Sequence, residues 1–262
     1  MRLLVSVRSA AEAALAASNG VDIVDAKEPD AGPLGAVARS VLRDIHLALP
    51  LDVPLGVALG DATVPDEIGR VLDRLAPPAR VSGTFLKVGF AGACHVGKVA
   101  AVLRRVVERA RELGPSVQVI AASYADYDRA RSLSPEQVLE PAIEAGAAGA
   151  LIDTWSKDGR GLLQHMSLSA LADWVTRARR AGLLTAVAGS LTADDLEILR
   201  ELGPDVVGVR GAACRGGRAG TLDPQRLQHL RTALARVAVP TSQPPSAREL
   251  PEPSAPLAPV TR

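Results

Sequence analysis

The stretch VDIVDAKEPDAGPLGA, residues 21–36, begins as an apolar run of strand length and ends in two charges and a Pro/Gly turn. Side chains in a strand alternate between its two faces, so Asp25 and Lys27 point to the same side. Two charges on one face of an otherwise apolar strand are unfavourable unless that face opens onto a site. We therefore predict a buried strand whose carboxyl end delivers functional groups.

Seven further apolar runs of strand length accompany this one, and segments with helical periodicity separate them. The eight predicted strands cover residues 2–7, 21–27, 54–60, 83–89, 117–123, 148–154, 183–189 and 205–211. Continuous runs of Val, Leu, Ile and Ala are typical of parallel strands that are buried on both faces. Repeated β–α units over about 240 residues match a (β/α)8 barrel, a fold of typically about 250 residues.

A doubly wound open sheet is the alternative α/β fold for this pattern. The turn after the first strand reads SVRSAAEAA, however, and lacks the G-x-G-x-x-G of dinucleotide-binding sheets. We therefore predict an α/β protein with a single TIM barrel of parallel strands over residues 1–238. Residues 239–262 are rich in Pro and Ser, and we predict that they form a disordered tail outside the barrel.

Composition excludes several classes of function. The net charge of +1 over 262 residues gives no sign of binding to nucleic acid or to a membrane surface. The apolar run near the start of the sequence is too short for a signal peptide, so we expect none, and no apolar run reaches the about 18 residues needed to span a bilayer. Two cysteines in the whole chain suit the reducing cytoplasm. We expect a cytoplasmic protein with no nucleic-acid or membrane partner, and the sequence leaves open whether it is a homo-oligomer.

Charged residues lie at the predicted carboxyl ends of three strands. In a TIM barrel the loops at these ends build the active site. The second strand ends in Asp25 and Lys27, the fourth carries Lys87, and the sixth carries Asp153, with Lys157 four residues further on. A single strand-end lysine is more often solvated or ion-paired. Two from different strands converge on the barrel axis, where a purely structural ion pair adds little stability, so we predict that Lys27 and Lys87 are catalytic.

Several lysines and carboxylates without a nucleophile triad or metal-ligand cluster favour carbonyl chemistry through a Schiff base. The attacking amine must be neutral, but the pKa of a free lysine is about 10.4, so less than about 1% is neutral at pH 7. Burial and a neighbouring ammonium from Lys87 or Lys157 would lower this pKa. Asp25 acts in the opposite sense, so we assign it to proton transfer and positioning. This chemistry needs no cofactor.

The loops after the last two strands read VAGSL and GVRGAACRGGRAG. In TIM barrels these two loops often bind phosphate through backbone N–H groups and a helix N-terminus. We predict such a role for Gly189, Ser190, Gly211 and Ala212, with Arg210 or Arg215 adding charge. Ordinary Gly-rich turns are the alternative for either loop alone. Because both loops stand at the expected positions, a phosphorylated substrate is the favoured interpretation.

Histidine and cysteine carry no predicted role. His46 and His229 fall within helical segments and are taken as ordinary helix residues. His95 and His165 have no partners visible in the sequence, and no His, Asp, Glu or Cys group has metal-ligand spacing. Cys94 and Cys214 have no adjacent base.

Five motifs together carry a family resemblance: DAKEPDAGPLGA, LKVGFAG, IDTWSKDGRGLL, AGSL and VGVRGAAC. From residue 1 to residue 238 the chain resembles the (5-formylfuran-3-yl)methyl phosphate synthases, TIM-barrel enzymes of methanofuran biosynthesis. The resemblance implies that two molecules of glyceraldehyde 3-phosphate condense, with loss of one phosphate and water, into a phosphorylated furan aldehyde. It also implies that Lys27 forms the Schiff base, that Lys87 is an acid/base, and that Asp25, Asp153 and Lys157 complete the charged site.

Two alternatives remain open at this point. A class I aldolase acting on another sugar phosphate would use the same lysine but stop at the open-chain aldol. A non-catalytic phosphate-binding barrel is less favoured, because binding alone would not need both lysines and the carboxylates. The segment RGGRAG after Cys214, and Trp155 in the sixth-strand motif, depart from the family pattern and are interpreted as local variation.

Overall fold

Eight parallel strands close into a barrel in the computed structural model, which describes residues 1–62 and 83–235. The strands are β1 (Arg2–Val7), β2 (Ile23–Ala26), β3 (Leu55–Asp61), β4 (Thr84–Gly89), β5 (Val117–Tyr124), β6 (Gly149–Asp153), β7 (Leu184–Val187) and β8 (Val206–Val209). They follow one another in chain order, and β8 pairs with β1 in parallel. The predicted TIM barrel is therefore confirmed, and the closure excludes the open doubly wound sheet.

Nine α-helices lie within the described residues. They are α1 (Ala10–Ser18), α2 (Arg39–Ala48), α3 (Val96–Leu113), α4 (Tyr127–Ala130), α5 (Pro135–Ala145), α6 (Leu162–His165), α7 (Leu168–Arg180), α8 (Ala193–Leu202) and α9 (Pro224–Ala235). The helical segment expected between the third and fourth strands would fall in residues 63–82, and the predicted tail in residues 239–262, both outside the described residues. None of the described helices combines the length and apolar composition needed to cross a membrane.

The helices follow the periodicity of the sequence. In α3, Val99, Leu103 and Val106 are buried on one face, while Arg104 and Arg105 are exposed. This face packs against β5 and α5, as an amphipathic helix on a barrel should. Burial of that apolar face, rather than intrinsic propensity, provides most of the stability of such a helix.

The segment SLSALADWVTRARRAG, residues 167–182, predicts a helix that starts at Ser-Leu-Ser and has Gly182 as its C-cap, and helix α7 lies in it. The Ser167 side chain caps it by accepting the backbone N–H of Ala170. Its C-cap is Ala181 rather than the predicted Gly182, which follows one residue later. Gly182 has a φ of 79°, a left-handed conformation that glycine adopts without steric penalty just past a helix end.

Alternation along the strands divides the core into two layers. Ile23, Phe85, Ile120, Leu151 and Val206 belong to a buried cluster inside the barrel. Their strand neighbours, such as Val24, Leu86 and Val207, belong to a larger cluster between strands and helices. Small interior residues, among them Ala186 and Gly208, leave part of the barrel interior unfilled and line a cavity there.

A short hairpin follows the last barrel strand. The chain makes a 3-10 turn at Gly211–Ala213 and then forms the antiparallel strands β9 (Cys214–Arg215) and β10 (Thr221–Leu222). Gly216 and Gly217 at its tip have φ values of 85° and 74°, which explains the glycine pair. The segment RGGRAG, which the sequence suggested was local variation, thus forms a defined element beside the barrel opening.

Candidate active site

A cavity of about 620 Å³ opens at the carboxyl ends of the barrel strands. This is the face on which TIM-barrel enzymes carry out catalysis, and the volume lies in the range of about 300–1,000 Å³ of small-molecule sites. Of the eleven residues predicted from the sequence for catalysis or phosphate binding, all except Arg215 line it: Asp25, Lys27, Lys87, Asp153, Lys157, Gly189, Ser190, Arg210, Gly211 and Ala212.

Asp25 and Lys87 form a buried ion pair. Lys87 Nζ lies 2.6 Å from Asp25 Oδ2, and Ser6 Oγ donates to the same oxygen at 3.0 Å. The strand register explains this, because Asp25 lies opposite Ser6 on β1 and Gly56 on β3. A Cβ at residue 56 would come within 2.5 Å of Asp25 Oδ1, so glycine makes room for the carboxylate. A buried ion pair adds little net stability, because removing two charges from water is costly. The position of this pair in the cavity therefore favours a chemical role.

Lys27 lies between carboxylates and ammonium groups. Its Nζ is 3.7 Å from Asp153 Oδ2, and its side chain is 10% exposed. Burial lowers the pKa of Lys27 to about 8; Lys87 and Lys157 act in the same direction, against Asp153 and Asp25. These are the causes expected from the sequence. With this pKa, about one amine in ten is neutral at pH 7, compared with fewer than about one in a thousand for free lysine.

Asp153 connects Lys27 to Lys157. Lys157 Nζ donates to Asp153 Oδ1 at 2.9 Å, to Thr154 O at 2.6 Å and to Thr154 Oγ1 at 3.0 Å. Burial raises the pKa of the Asp153 carboxyl, but the ammonium groups of Lys157 and Lys27 outweigh burial and lower it to about 2. Asp153 is therefore a carboxylate at neutral pH, with one oxygen towards each lysine.

Asp126 holds the loop that follows β6, and the sequence analysis missed it. Its Oδ1 accepts the N–H of Trp155 at 2.6 Å, and its Oδ2 accepts the N–H of Ser156 at 2.8 Å. Although burial raises the pKa of Asp126, these hydrogen bonds outweigh it and lower that pKa. The two bonds fix the backbone between Asp153 and Lys157. Its place just after the fifth strand was the only available signal.

Tyr124 and Asp61 form a second pair that the sequence did not indicate. Tyr124 OH donates to Asp61 Oδ1 at 2.6 Å, and the N–H of Ala91 donates to the same oxygen at 2.9 Å. Burial, with the nearby Asp61 carboxylate, raises the pKa of Tyr124 well above its usual value. Neither side chain lines the cavity. The pair links the ends of β3 and β5 beside the site.

The loops after β7 and β8 both line the cavity, as the barrel fold predicts. Among the described residues, the backbone N–H groups of Gly189, Ser190, Gly211 and Ala212 donate to no protein acceptor. Gly189 has a φ of 114°, and a Cβ there would lie 3.0 Å from Thr154 N. At Gly211 the nearest atom would be Arg218 N at 3.5 Å, an ordinary contact. Of these two glycines, Gly189 alone is sterically required.

Arg210 lines the cavity, but its guanidinium is already saturated. Its five N–H donors bond to protein acceptors between 2.6 and 3.1 Å. The acceptors are the Glu12 carboxylate and the carbonyls of Ser6, Arg218 and Gly220. A phosphate could bind this side chain only by displacing one of them. The geometry therefore does not favour the expected phosphate contact, and Arg210 instead ties β8 to α1 and the hairpin.

Arg215 and His229 were also considered from the sequence; one lies outside the cavity and the other lines it. Arg215, the other arginine considered for phosphate, has a side chain that is 77% exposed, pairs with Asp223 and does not line the cavity. His229, interpreted as an ordinary helix residue, does line it, from α9. Across residues 1–62 and 83–235, no three His, Cys, Asp or Glu side chains are grouped so that they could hold a metal ion.

The fold and the cluster of amines and carboxylates define a TIM-barrel enzyme. A family model described as 4-HFC-P synthase matches residues 3–231, and the chain belongs to that family. A protein of Methanopyrus kandleri named (5-formylfuran-3-yl)methyl phosphate synthase is 39% identical over 236 residues, which cover 89% of this chain and 99% of that protein. A Methanocaldococcus jannaschii protein of the same name is 36% identical over 234 residues, covering 88% and 98%.

Solved structures show the same barrel in more distant enzymes. Phosphoribosyl anthranilate isomerase from Thermus thermophilus superposes with a TM-score of 0.59 at 18% identity, covering 90% of this chain and 98% of its own. 3-Hexulose-6-phosphate synthase from Salmonella typhimurium gives a TM-score of 0.55 at 19% identity, covering 89% and 98%. At these identities the likeness concerns the fold alone.

Proposed function

We propose that this chain condenses two molecules of glyceraldehyde 3-phosphate into (5-formylfuran-3-yl)methyl phosphate through a Schiff base on Lys27. The reaction would be that of a carbon–oxygen lyase acting on phosphates, in the cytoplasmic biosynthesis of a methanofuran-type cofactor. The observation that carries the proposal is Lys27, a buried amine whose pKa is lowered to about 8, beside Asp153 in a chain of this family.

Imine formation is the step that the geometry supports most directly. The neutral Nζ of Lys27 attacks the aldehyde carbon, and the carbonyl oxygen leaves as water after it has gained two protons. Asp153 Oδ2, 3.7 Å from Nζ, is placed to take the proton that the amine loses. The resulting iminium withdraws electrons and acidifies the adjacent carbon. Loss of a proton there forms an enamine, whose electron pair can expel the phosphate one carbon further along.

The Asp25–Lys87 pair supplies a second proton-transfer group. Lys87 Nζ donates to Asp25 at 2.6 Å, so a proton can pass between substrate and pair during carbon–carbon bond formation and dehydration. The atoms balance as two triose phosphates giving one furan phosphate, one inorganic phosphate and two waters. No net oxidation or reduction of the carbon skeleton takes place, and aromatisation drives the loss of water.

One substrate phosphate is assigned to the loops after β7 and β8. The N–H groups of Gly189, Ser190, Gly211 and Ala212 have no protein acceptor among the described residues and lie in segments that line the cavity. Helix α8 begins next to them, with Thr192 as its N-cap, so its dipole favours an anion there.

Borohydride trapping tests the Schiff base. Glyceraldehyde 3-phosphate with borohydride should leave a stable adduct on the peptide that contains Lys27. Lys27→Arg should abolish both the adduct and turnover, because a guanidinium stays protonated and cannot attack. Lys98→Arg is the matched control, since Lys98 is exposed on α3 and does not line the cavity. An adduct that maps to another residue would contradict the assignment.

Product analysis separates the alternatives. Protein with glyceraldehyde 3-phosphate alone should accumulate a furan aldehyde that absorbs in the near ultraviolet, with one phosphate released per furan. A six-carbon sugar that keeps both phosphates would identify an aldolase. Phosphate binding without adduct or product would identify a binding barrel.

A further inference from the structure

Arg218, at the tip of the β9–β10 hairpin, lines the cavity and is half-buried. Its backbone N lies near Gly211, at the end of β8, while its side chain crosses to the loop after β2. There its Nη2 donates to Pro29 O at 2.8 Å and to Gly32 O at 2.7 Å. The guanidinium is thus held over the loop that follows Lys27.

Only part of the Arg218 guanidinium is used by the protein. Both hydrogen bonds of its side chain involve Nη2; within the described residues, Nε and Nη1 have no acceptor. Burial lowers the pKa of Arg218, with Asp153 and Asp30 opposing this, but a guanidinium remains charged at neutral pH. Since Arg218 lines the cavity, its free N–H donors can bind water or an anionic ligand there. A phosphate monoester, with its dianionic charge and several acceptor oxygens, matches these donors.

The reaction proposed above needs two phosphate sites. The backbone N–H groups after β7 and β8 account for one, and Arg210 is saturated by protein acceptors. We propose that Arg218 binds the phosphate of the second triose phosphate, next to the loop that follows Lys27. This inference rests on the proposed function for the identity of the ligand, but the anion site itself is independent of it.

Three variants separate anion binding from a structural role. Arg218→Gln keeps N–H donors for Pro29 O and Gly32 O but removes the charge, whereas Arg218→Lys keeps the charge. Arg215→Gln is the matched control, because Arg215 belongs to the same hairpin but is exposed and outside the cavity. We expect Arg218→Gln to reduce furan formation at low substrate on the order of 10²-fold, while the borohydride adduct on Lys27 stays near wild type. Arg218→Lys should recover part of the loss.

Calorimetric titration with inorganic phosphate tests the anion site without the reaction. Wild type and Arg215→Gln should each bind two phosphates per chain, and Arg218→Gln should bind one. Equal stoichiometry in all three would overturn the site. A parallel fall of adduct and furan in Arg218→Gln would show that Arg218 does not serve the second triose specifically. If wild type forms neither adduct nor furan, the proposed function fails, and the phosphate stoichiometry still decides whether Arg218 binds an anion.

Discussion

Lysine is rare in this chain and is concentrated at the cavity. The sequence contains four lysines and twenty-six arginines. Three of the lysines, Lys27, Lys87 and Lys157, line the cavity, whereas Lys98 is exposed on α3. Arginine stays protonated in proteins, whereas a buried lysine can lose its proton. Lysine rather than arginine is therefore expected where the chemistry needs a neutral amine. This distribution supports amine chemistry more strongly than the number of charges does.

Schiff-base formation should depend on pH through the pKa of Lys27. Only the neutral amine attacks, so the trapping rate should rise with pH through about 8. Lys157→Met removes an ammonium that lowers this pKa, and the profile should move to higher pH. Asp153→Asn removes an anion that raises it, and the profile should move to lower pH. Single-turnover trapping across pH measures the midpoint, with Lys98→Met as the control. Unmoved midpoints in both cavity variants would mean that another group titrates.

Among the elements, the loops after β6 and β7 depend on one another. Gly189 lies against Thr154, and Thr154 O accepts a hydrogen bond from Lys157. Asp126 fixes the same β6 loop from the other side. A change at the phosphate loop can therefore displace the Lys157 ammonium, although the two segments are distant in sequence.

Two glycines that look alike in the sequence should respond differently to alanine. Gly189→Ala should destabilise the protein by about 1–3 kcal/mol, because φ is 114° and the new Cβ would meet Thr154 N at 3.0 Å. Gly211→Ala meets only ordinary contacts and should melt near wild type, with weaker phosphate binding as its main effect. Thermal melts and phosphate titration measure the two effects. Normal phosphate affinity in Gly211→Ala would remove that loop from the binding site.

At the scale of the whole molecule, the barrel and its hairpin bring the cavity together from distant parts of the chain. The site draws on residues from β2, β4 and β6 and on the loops after β7 and β8. It exists only in the folded barrel, so a ligand that binds there stabilises the entire fold by mass action.

Inorganic phosphate should therefore protect the protein against heat. With a dissociation constant of about 1 mM, phosphate at about 10 mM would add about 1.4 kcal/mol to the free energy of unfolding. For a domain of this size that is an increase in Tm of about 3–6 °C. Chloride at matched ionic strength is the control. The same increase with chloride would indicate a general salt effect rather than a phosphate site.

The barrel and the residues that meet in its opening could be predicted from the amino-acid pattern alone. Strand periodicity and apolar runs are local properties, so all eight strands could be located from them. Asp25 and Lys27 are two residues apart, so the alternation of side chains along a strand places both on the interior face. The carboxyl ends of parallel strands meet at one end of the barrel, which brings such residues together.

The pairing of these groups, in contrast, depends on how the folded barrel brings distant segments together. Lys87 meets Asp25 across 62 positions, and Arg210 meets Glu12 across 198, because barrel closure and strand register bring them together. The same closure saturates Arg210, which the sequence suggested for phosphate binding, and leaves Nε and Nη1 of Arg218 without an acceptor among the described residues, although the sequence assigned Arg218 no role. Hydrogen-bond partners are set by the geometry of segments far apart in the chain, and local patterns carry no information about that geometry.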